Sequence, residues 1–243
     1  MRPIKERHMK NNILIFFISF LSTVSFAQKT IEASDLMEDI KKGKTISVNN
    51  TTVVGTLDFT FMEETSADLP EKRKWWNNGG DNTIKKRIKN KISFTNVTFE
   101  DDVLAYIPTE GSGYTFIANF EDDVIFKNCT FKRKALFKYS KFDGNTSFEG
   151  TNFDDENTFK YAKFDNFVSF EATSFSETAT FKYTKFLNGV SFNNANFRED
   201  LNIKYTKVSG KFDITNMKVA YDINAKYTKI NGKSFTKYLV DKN

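Results

Sequence analysis

The chain has 243 residues, with 36 Lys and Arg against 31 Asp and Glu, 27 Phe, one Cys and one His. That length suits one large domain or two small ones. A single cysteine excludes an intramolecular disulfide framework, and a single histidine, His8, leaves little room for His-based triads or His-ligated metals.

Residues 1–27 read as a secretory signal peptide. Lys10, Asn11 and Asn12 form a short polar region, with Met9 as a second candidate start, and Ile13 to Phe26 is apolar. Ser25 and Ala27 place small residues at −3 and −1, which predicts cleavage before Gln28. The apolar run from Ile13 to Phe26 is shorter than the roughly 20 residues that cross a bilayer. No cysteine lies near the cleavage site, which argues against a lipoprotein. Taking Arg2, Lys5, Arg7 and Lys10 from 36 bases, and Glu6 from 31 acids, leaves a net charge of +2. His8 leaves as well. Total charge then says little, and the distribution of charge decides the partners. The expected location is periplasmic or extracellular.

Residues 28–45 are expected to form an N-terminal capping helix. In 34–43 (SDLMEDIKKG), Ser34 is a candidate N-cap. Leu36, Met37 and Ile40 share a face, and Gly43 can end the helix. Such a helix would lie over the open end of a repeat array. Residues 46–61 alternate apolar and polar side chains in the manner of a strand.

An insertion follows near 62–91. It holds Trp75 and Trp76, then Asn77-Asn78-Gly79-Gly80, then Lys85, Lys86, Arg87, Lys89 and Lys91. A loop of that length is usually functional or disordered. Two readings stand: a binding loop built on Trp75 and Trp76, or a hairpin with the tryptophans packed on the wall. Apolar marks resume at Phe94, Phe99 and Ala105. A second insertion spans 107–114, and Phe120, Phe126 and Phe131 follow. Cys129, two before Phe131, is placed in the interior as a small apolar residue.

From 137 the pattern is regular. FKYSKF, FKYAKF, FKYTKF, IKYTKV and AKYTKI begin at positions 137, 159, 181, 203 and 225, a constant period of 22. Between them lie Phe148, Phe153, Phe170, Phe175, Phe192, Phe197, Ile214 and Val219, so the marks step by five and by six alternately. A fixed period of this kind is the signature of a solenoid. The residue two before each mark is small in most cases, as at Ala135, Ser140, Thr146, Thr151 and Ala162. Both positions face the same side of an extended backbone, so a large and a small side chain fill a narrow core together. In the last coil the volumes change places: Phe212, Met217 and Ile223 precede the smaller Ile214, Val219 and Ala225. Packing is expected to survive this taper. Four steps per coil predict an all-β, four-sided parallel β-helix over 46–230, with coils about 4.8 Å apart. Residues 231–243 are assigned to a C-terminal cap of unspecified form.

ALFKYSKF, with AKF, ATF and ANF further along, resembles the A-[N/D]-L-x-x units of the pentapeptide-repeat family, with Phe at the central position. The likeness covers 92–230 and, less regularly, 46–61. It implies a right-handed quadrilateral β-helix. The alternation of five- and six-residue steps departs from the family's five, and predicts a wider turn at alternate corners. Some family members mimic DNA and inhibit gyrase in the cytoplasm. The export signal and a basic face argue against that role here.

The repeated phrase builds three external ladders: Lys138, Lys160, Lys182, Lys204 and Lys226; Tyr139, Tyr161, Tyr183, Tyr205 and Tyr227; and Lys141, Lys163, Lys185, Lys207 and Lys229. Like charges stacked on neighbouring strands repel, and at about 5 Å in water the cost is under ~1 kcal/mol per pair. The ladders therefore read either as a solvated face copied by duplication or as a binding strip, with Lys supplying charge and Tyr supplying stacking faces. Acidic turns follow several marks, among them Glu100-Asp101-Asp102, Glu121-Asp122-Asp123 and Asp154-Asp155-Glu156. They lack the spacing of a calcium loop, and no phosphate-binding glycine loop is present. No catalytic residue, metal or cofactor is implied. The expected function is an exported, non-enzymatic binding or scaffold module. Its partner would be an anionic glycan, a lipid phosphate or another protein; export argues against nucleic acid. A spacer in an envelope assembly is the alternative, with a DNA-mimic, gyrase-interacting repeat protein and an enzyme using the acidic turns behind it. The oligomeric state is open, with an end-to-end homodimer as one arrangement.

Overall fold

In a computed structural model, residues 29–66, 69, 82–109 and 113–242 are described. The expected signal peptide, and Trp75 and Trp76, lie outside them. The two-residue rule sets the core. Phe137, Phe148, Phe159, Phe170 and Phe181 are 0 % exposed, and so are Ala135, Ser140, Thr151, Ala162 and Thr173 two before a mark. The phenylalanines stack coil upon coil: Phe148 on Phe170 at 5.1 Å, Phe153 on Phe175 at 5.0 Å and Phe159 on Phe181 at 5.1 Å. Between columns they meet edge to face, as in Phe159 against Phe170 at 5.2 Å. Both arrangements suit the ring quadrupole. The small partner is often threonine because its hydroxyl has an acceptor in the preceding coil. Thr151, Thr173 and Thr184 donate to the carbonyls of Phe126, Phe148 and Phe159 at 2.9, 2.8 and 2.7 Å. A buried hydroxyl without such a partner would destabilise the core.

These choices produce seven coils. One column of register partners runs Ile46, Ile92, Val124, Thr146, Val168, Val190 and Phe212, all in parallel pairing. Seven levels about 4.8 Å apart give a rod of about 30 Å. Each regular coil has four faces, for example Thr146–Ser147, Asn152–Phe153, Asn157–Thr158 and Lys163–Phe164. The first and second faces are joined into one sheet through the long strand Ile92–Phe99.

The alternate corners differ, as the spacing predicts. Each five-residue step closes a tight turn by a backbone bond, as Ser140 N–H to Phe137 C=O at 3.3 Å and Thr151 N–H to Phe148 C=O at 3.2 Å. The third residue of each has positive φ, the geometry of a type II turn. The six-residue steps are wider and are held from the next coil. Asn166 and Asn188 donate side-chain N–H groups to the carbonyls of Asp143 and Asp165 at 2.8 and 2.6 Å.

The early coils correct several expectations. Ile92 pairs with Val124 and Ile46 pairs with Ile92, so neighbouring coils are offset by 32 and 46 positions there, against 22 in the regular array. Both excesses enter between the third and fourth faces. In the first coil the chain leaves Leu57–Asp58 and returns as Thr83–Ile88; in the second it leaves Val103–Leu104 and returns as Tyr114–Phe120. The insertion placed at 62–91 is therefore not a loop throughout. It opens with a short helix, α2 (Met62–Thr65), after the α1 helix described below, and Thr83–Ile88 is a strand paired with Thr115–Phe120. The insertion placed at 107–114 is a hairpin, Tyr106–Thr109 antiparallel to Tyr114–Ile117.

The caps also differ in detail. A strand, Lys29–Glu32, precedes the expected helix and pairs with Thr51–Val54, adding a layer to the first coil. Helix α1 (Ala33–Lys41) buries Ala33, Leu36 and Ile40. Ser34 is not its N-cap: Glu32 holds that place without a side-chain cap bond, so Ser34 sits inside the first turn. Gly43, at φ 74°, ends the helix, and its N–H donates to Ile40 C=O at 3.0 Å. Asn90 ties α1 down from below, donating to the carbonyls of Ile40 and Lys44 at 3.1 and 2.7 Å. The C-terminal cap is a two-residue strand, Lys233–Ser234, antiparallel to Lys229–Ile230, and a helix, α3 (Phe235–Lys242). Phe235 and Tyr238 pack on Phe212, and Tyr238 donates its hydroxyl to Phe212 C=O at 2.7 Å. The taper is less well covered than expected: Phe212 is 7 % exposed, but Ile223 is 38 % exposed.

Candidate functional site

The five-residue steps fall at two opposite corners, and the sequence treats them differently. At the corner between the first and second faces, positive φ is taken by Asn50, Asn96, Asn128, Gly150, Ala172, Asn194 and Asn216. Asparagine and glycine accept this region most readily. The side-chain amides also bond along the column, Asn96 to Asn50 at 2.9 Å and Asn216 to Asn194 at 3.2 Å. At the corner between the third and fourth faces, Tyr139, Tyr161, Tyr183, Tyr205 and Tyr227 hold φ of 61–63°. A bulky residue there is an outlier that surrounding structure must hold in place.

The rings hold one another. Successive tyrosines stack at 4.8, 4.7, 4.6 and 4.8 Å between centroids, within 18° of parallel. Tyr106, in the hairpin, meets the upper end of the stack at a tilt of 53°, 5.8 Å from Tyr139. Lys138, Lys160, Lys182, Lys204 and Lys226 each lie 4.9–5.3 Å from the centroid of the following tyrosine. From Tyr161 to Tyr205 both ring faces are thus covered by neighbouring rings. Tyr supplies edges and hydroxyls to a ligand, not the free stacking faces that the sequence suggests. Ammonium and phenol groups are hydrogen-bond donors, so the strip is a rail of donors.

The two lysine ladders have different surroundings. In the inner one, burial and then the charges of Lys138 and Lys182 push the Lys160 ammonium below the usual lysine range. In the outer one, Lys141 bonds to Asp143 at 2.8 Å and to Asp165 at 3.1 Å, and Lys163 bonds to Asp165 at 2.7 Å. The bonds to Asp143 and Asp165 hold Lys141 above its ordinary value. Partial burial pushes the Asp165 carboxyl up, but the Lys163 and Lys141 ammonium groups outweigh it and its pKa is lowered. One and two coils on, the place of Asp165 is taken by Leu187 and Ser209. Beside them Lys185, Lys207 and Lys229 are exposed. Tyr161, Tyr183, Lys185, Tyr205 and Lys207 line a shallow trough of about 400 Å³.

Sequence reasoning thus places all fifteen strip residues on one surface. It missed that both insertions leave from this same corner, so the decorated coils abut the upper end of the strip. The signal was present: coil offsets of 46 and 32 exceed the regular 22 just after Leu57 and Ala105. Cys129 is buried as expected, and burial pushes its thiol up to about 12. Among the described residues no cluster of three or more His, Cys, Asp or Glu could hold a metal ion, and no helix is long and apolar enough to cross a membrane.

The family description Pentapeptide repeats (9 copies) matches residues 118–163 and 159–207. No curated protein and no solved structure matches the chain. The matched residues end at 207, before the seventh coil, and the phenylalanine columns within them occupy the family's central position. Over residues 118–207 the array is a pentapeptide-repeat β-helix, in a variant with Phe at the central positions and a coil period of 22.

Proposed function

We propose that the protein is an exported, non-enzymatic binding module whose lysine–tyrosine strip holds an anionic polymer of the cell envelope. One observation carries the reading. The fold makes the same turn at two corners, and one corner takes Asn, Gly or Ala while the other takes Tyr in all five regular coils. Backbone preference alone favours the first choice, by roughly 1 kcal/mol per residue. Tyrosine at the second corner brings with it a continuous row of hydroxyls and ring edges flanked by two rows of ammonium groups. A spacer in an envelope assembly is the second reading. It is favoured by the ion pairs that already satisfy Lys141 and Lys163.

The test is retention of the purified protein on an immobilised acidic polysaccharide. Replacing Lys182, Lys204 and Lys226 by Gln is expected to abolish retention at low salt and leave the fold intact. Replacing Trp75 and Trp76 by Ala is the control for the first insertion. Loss of retention in the tryptophan variant with full retention in the lysine variant would move the site to the insertion. No retention of the unaltered protein would favour the spacer.

A further inference from the structure

The strip is uniform in sequence but not in charge. In the third and fourth coils the outer lysines, Lys141 and Lys163, are held by Asp143 and Asp165 at 2.7–3.1 Å. From the fifth coil on, those acids are gone, and Lys185, Lys207 and Lys229 make no ion pair among the described residues. The inner ladder, Lys138 to Lys226, makes no ion pair among the described residues, so the difference between the two halves lies in the outer ladder. The upper end is further closed by Tyr106, whose ring packs on Tyr139 and whose hydroxyl accepts from Lys138 Nζ at 3.0 Å.

Building on the function proposed above, we infer that the ligand occupies only the lower half of the strip, over Lys182 to Lys229, and that it is a linear polysaccharide carrying one carboxylate or sulfate per sugar, lying parallel to the rod. The trough sets the direction. Its lining comes from three successive coils, Tyr161, then Tyr183 and Lys185, then Tyr205 and Lys207, so it extends across the coils. The spacing sets the chemistry. Tyrosine centroids recur every 4.6–4.8 Å along this stretch, and Lys185, Lys207 and Lys229 pair in register on neighbouring strands with the same coil spacing. A pyranose ring with its glycosidic oxygen spans nearly the same length, so each sugar meets one coil. A pair of lysines brackets each anionic group and the tyrosine hydroxyl between them donates to the sugar. A trough one chain wide does not match a lipid surface, which would need a plane.

The experiment measures binding of a fluorescently labelled oligogalacturonate to the full-length protein at low ionic strength. Lys185→Gln with Lys207→Gln is expected to weaken binding about tenfold, roughly 1.4 kcal/mol shared between two exposed charge contacts. Lys141→Gln with Lys163→Gln is expected to change it less than about twofold, because those charges are already compensated. Asp143→Asn with Asp165→Asn frees both upper lysines and is expected to tighten binding by several-fold. All six positions lie at the surface, and circular dichroism confirms the fold of each variant. Equal losses from the upper and lower lysine pairs would overturn the half-strip footprint while leaving the proposed binding function intact. No effect of any lysine pair would overturn both. Binding to phosphatidylglycerol vesicles or to a single-stranded oligonucleotide, with none to oligogalacturonate, would overturn the assigned ligand chemistry.

Discussion

Replacing Phe181 by Ala removes a side chain fully enclosed by the repeat. Phe181 is 0 % exposed, stacks on Phe159 at 5.1 Å, and meets Phe170 and Phe192 edge to face at 5.1 and 5.3 Å. Large-to-small changes of this kind cost about 3–5 kcal/mol when the site cannot collapse. Here collapse is blocked, because hydrogen bonds lock the neighbouring coils: Phe181 N–H donates to Asn202 C=O at 2.8 Å, and the Phe181 carbonyl accepts from Thr206 Oγ1 at 2.6 Å. The ring contacts add about 0.5–1.5 kcal/mol per pair beyond area. The expected loss is therefore at the upper end of the range, about 5 kcal/mol, against a total stability of about 5–15 kcal/mol for a typical domain. Lys182→Ala, one residue on, is expected to change stability by under about 0.5 kcal/mol, as surface substitutions do. Urea unfolding followed by circular dichroism reads both midpoints. Each coil touches only its neighbours, so a second transition in the Phe181→Ala variant would mark separate melting of the lower coils. Equal losses from the two substitutions would refute the inward and outward assignment on which the whole fold rests.

Tyr183→Asn tests whether stacking outweighs backbone strain. Two ring contacts and one Lys182 contact are lost, together about 1.5–4 kcal/mol, while about 1 kcal/mol of strain is relieved, so a net loss of about 0.5–3 kcal/mol is expected in thermal unfolding. A rise in melting temperature would show that the ladder does not support itself. Gly189→Ala is expected to destabilise more than Gly43→Ala. A Cβ at Gly189 meets the Lys211 carbonyl oxygen at 2.5 Å, whereas at Gly43 nothing lies within 4 Å; comparable losses would contradict this. Asp213 is held at about 2 by the N–H and hydroxyl of Thr215, with Lys211 also contributing. Its folded value is depressed, so it adds stability above about pH 4, the carboxylate range of an unfolded chain. That stability is lost as pH falls towards its folded value. Thermal midpoints of the native protein and of Asp213→Asn are expected to converge in acid and separate above about pH 4, and a constant gap would contradict the assignment. Mass spectrometry of the exported product is expected to give Gln28 as the N-terminus, and an intact Met1 or Met9 would remove the envelope from the proposal.

The array was legible because two inward positions per step leave a large and a small residue at fixed spacing, as at Phe170 and Val168. The same arithmetic located both insertions but not their content, since nothing in 107–114 distinguishes a hairpin from a loop. Positive φ at the tyrosines could not be read from tyrosine itself, which disfavours that region. It follows from closing a five-residue step, and the asparagines at the other corner were the only local hint. The neutralised half of the strip was visible in principle, because Asp143 and Asp165 align with Leu187 and Ser209 one period apart. That charge difference becomes physical only when Lys141 Nζ is seen within 3.1 Å of both carboxylates. The C-terminal helix was not legible, because 231–243 is short and polar, and Phe235 and Tyr238 find their place only against Phe212.

The salt dependence of oligogalacturonate binding tests the central claim most directly. Charges on the strip act over about 10 Å at 0.1 M salt, and each lysine contact that displaces a counterion adds about one unit to the slope of log affinity against log salt. The protein is predicted to show a steep slope that falls by about three when Lys182, Lys204 and Lys226 are replaced by Gln. A slope near zero, or one that the three replacements leave unchanged, would contradict binding through the lysine–tyrosine strip.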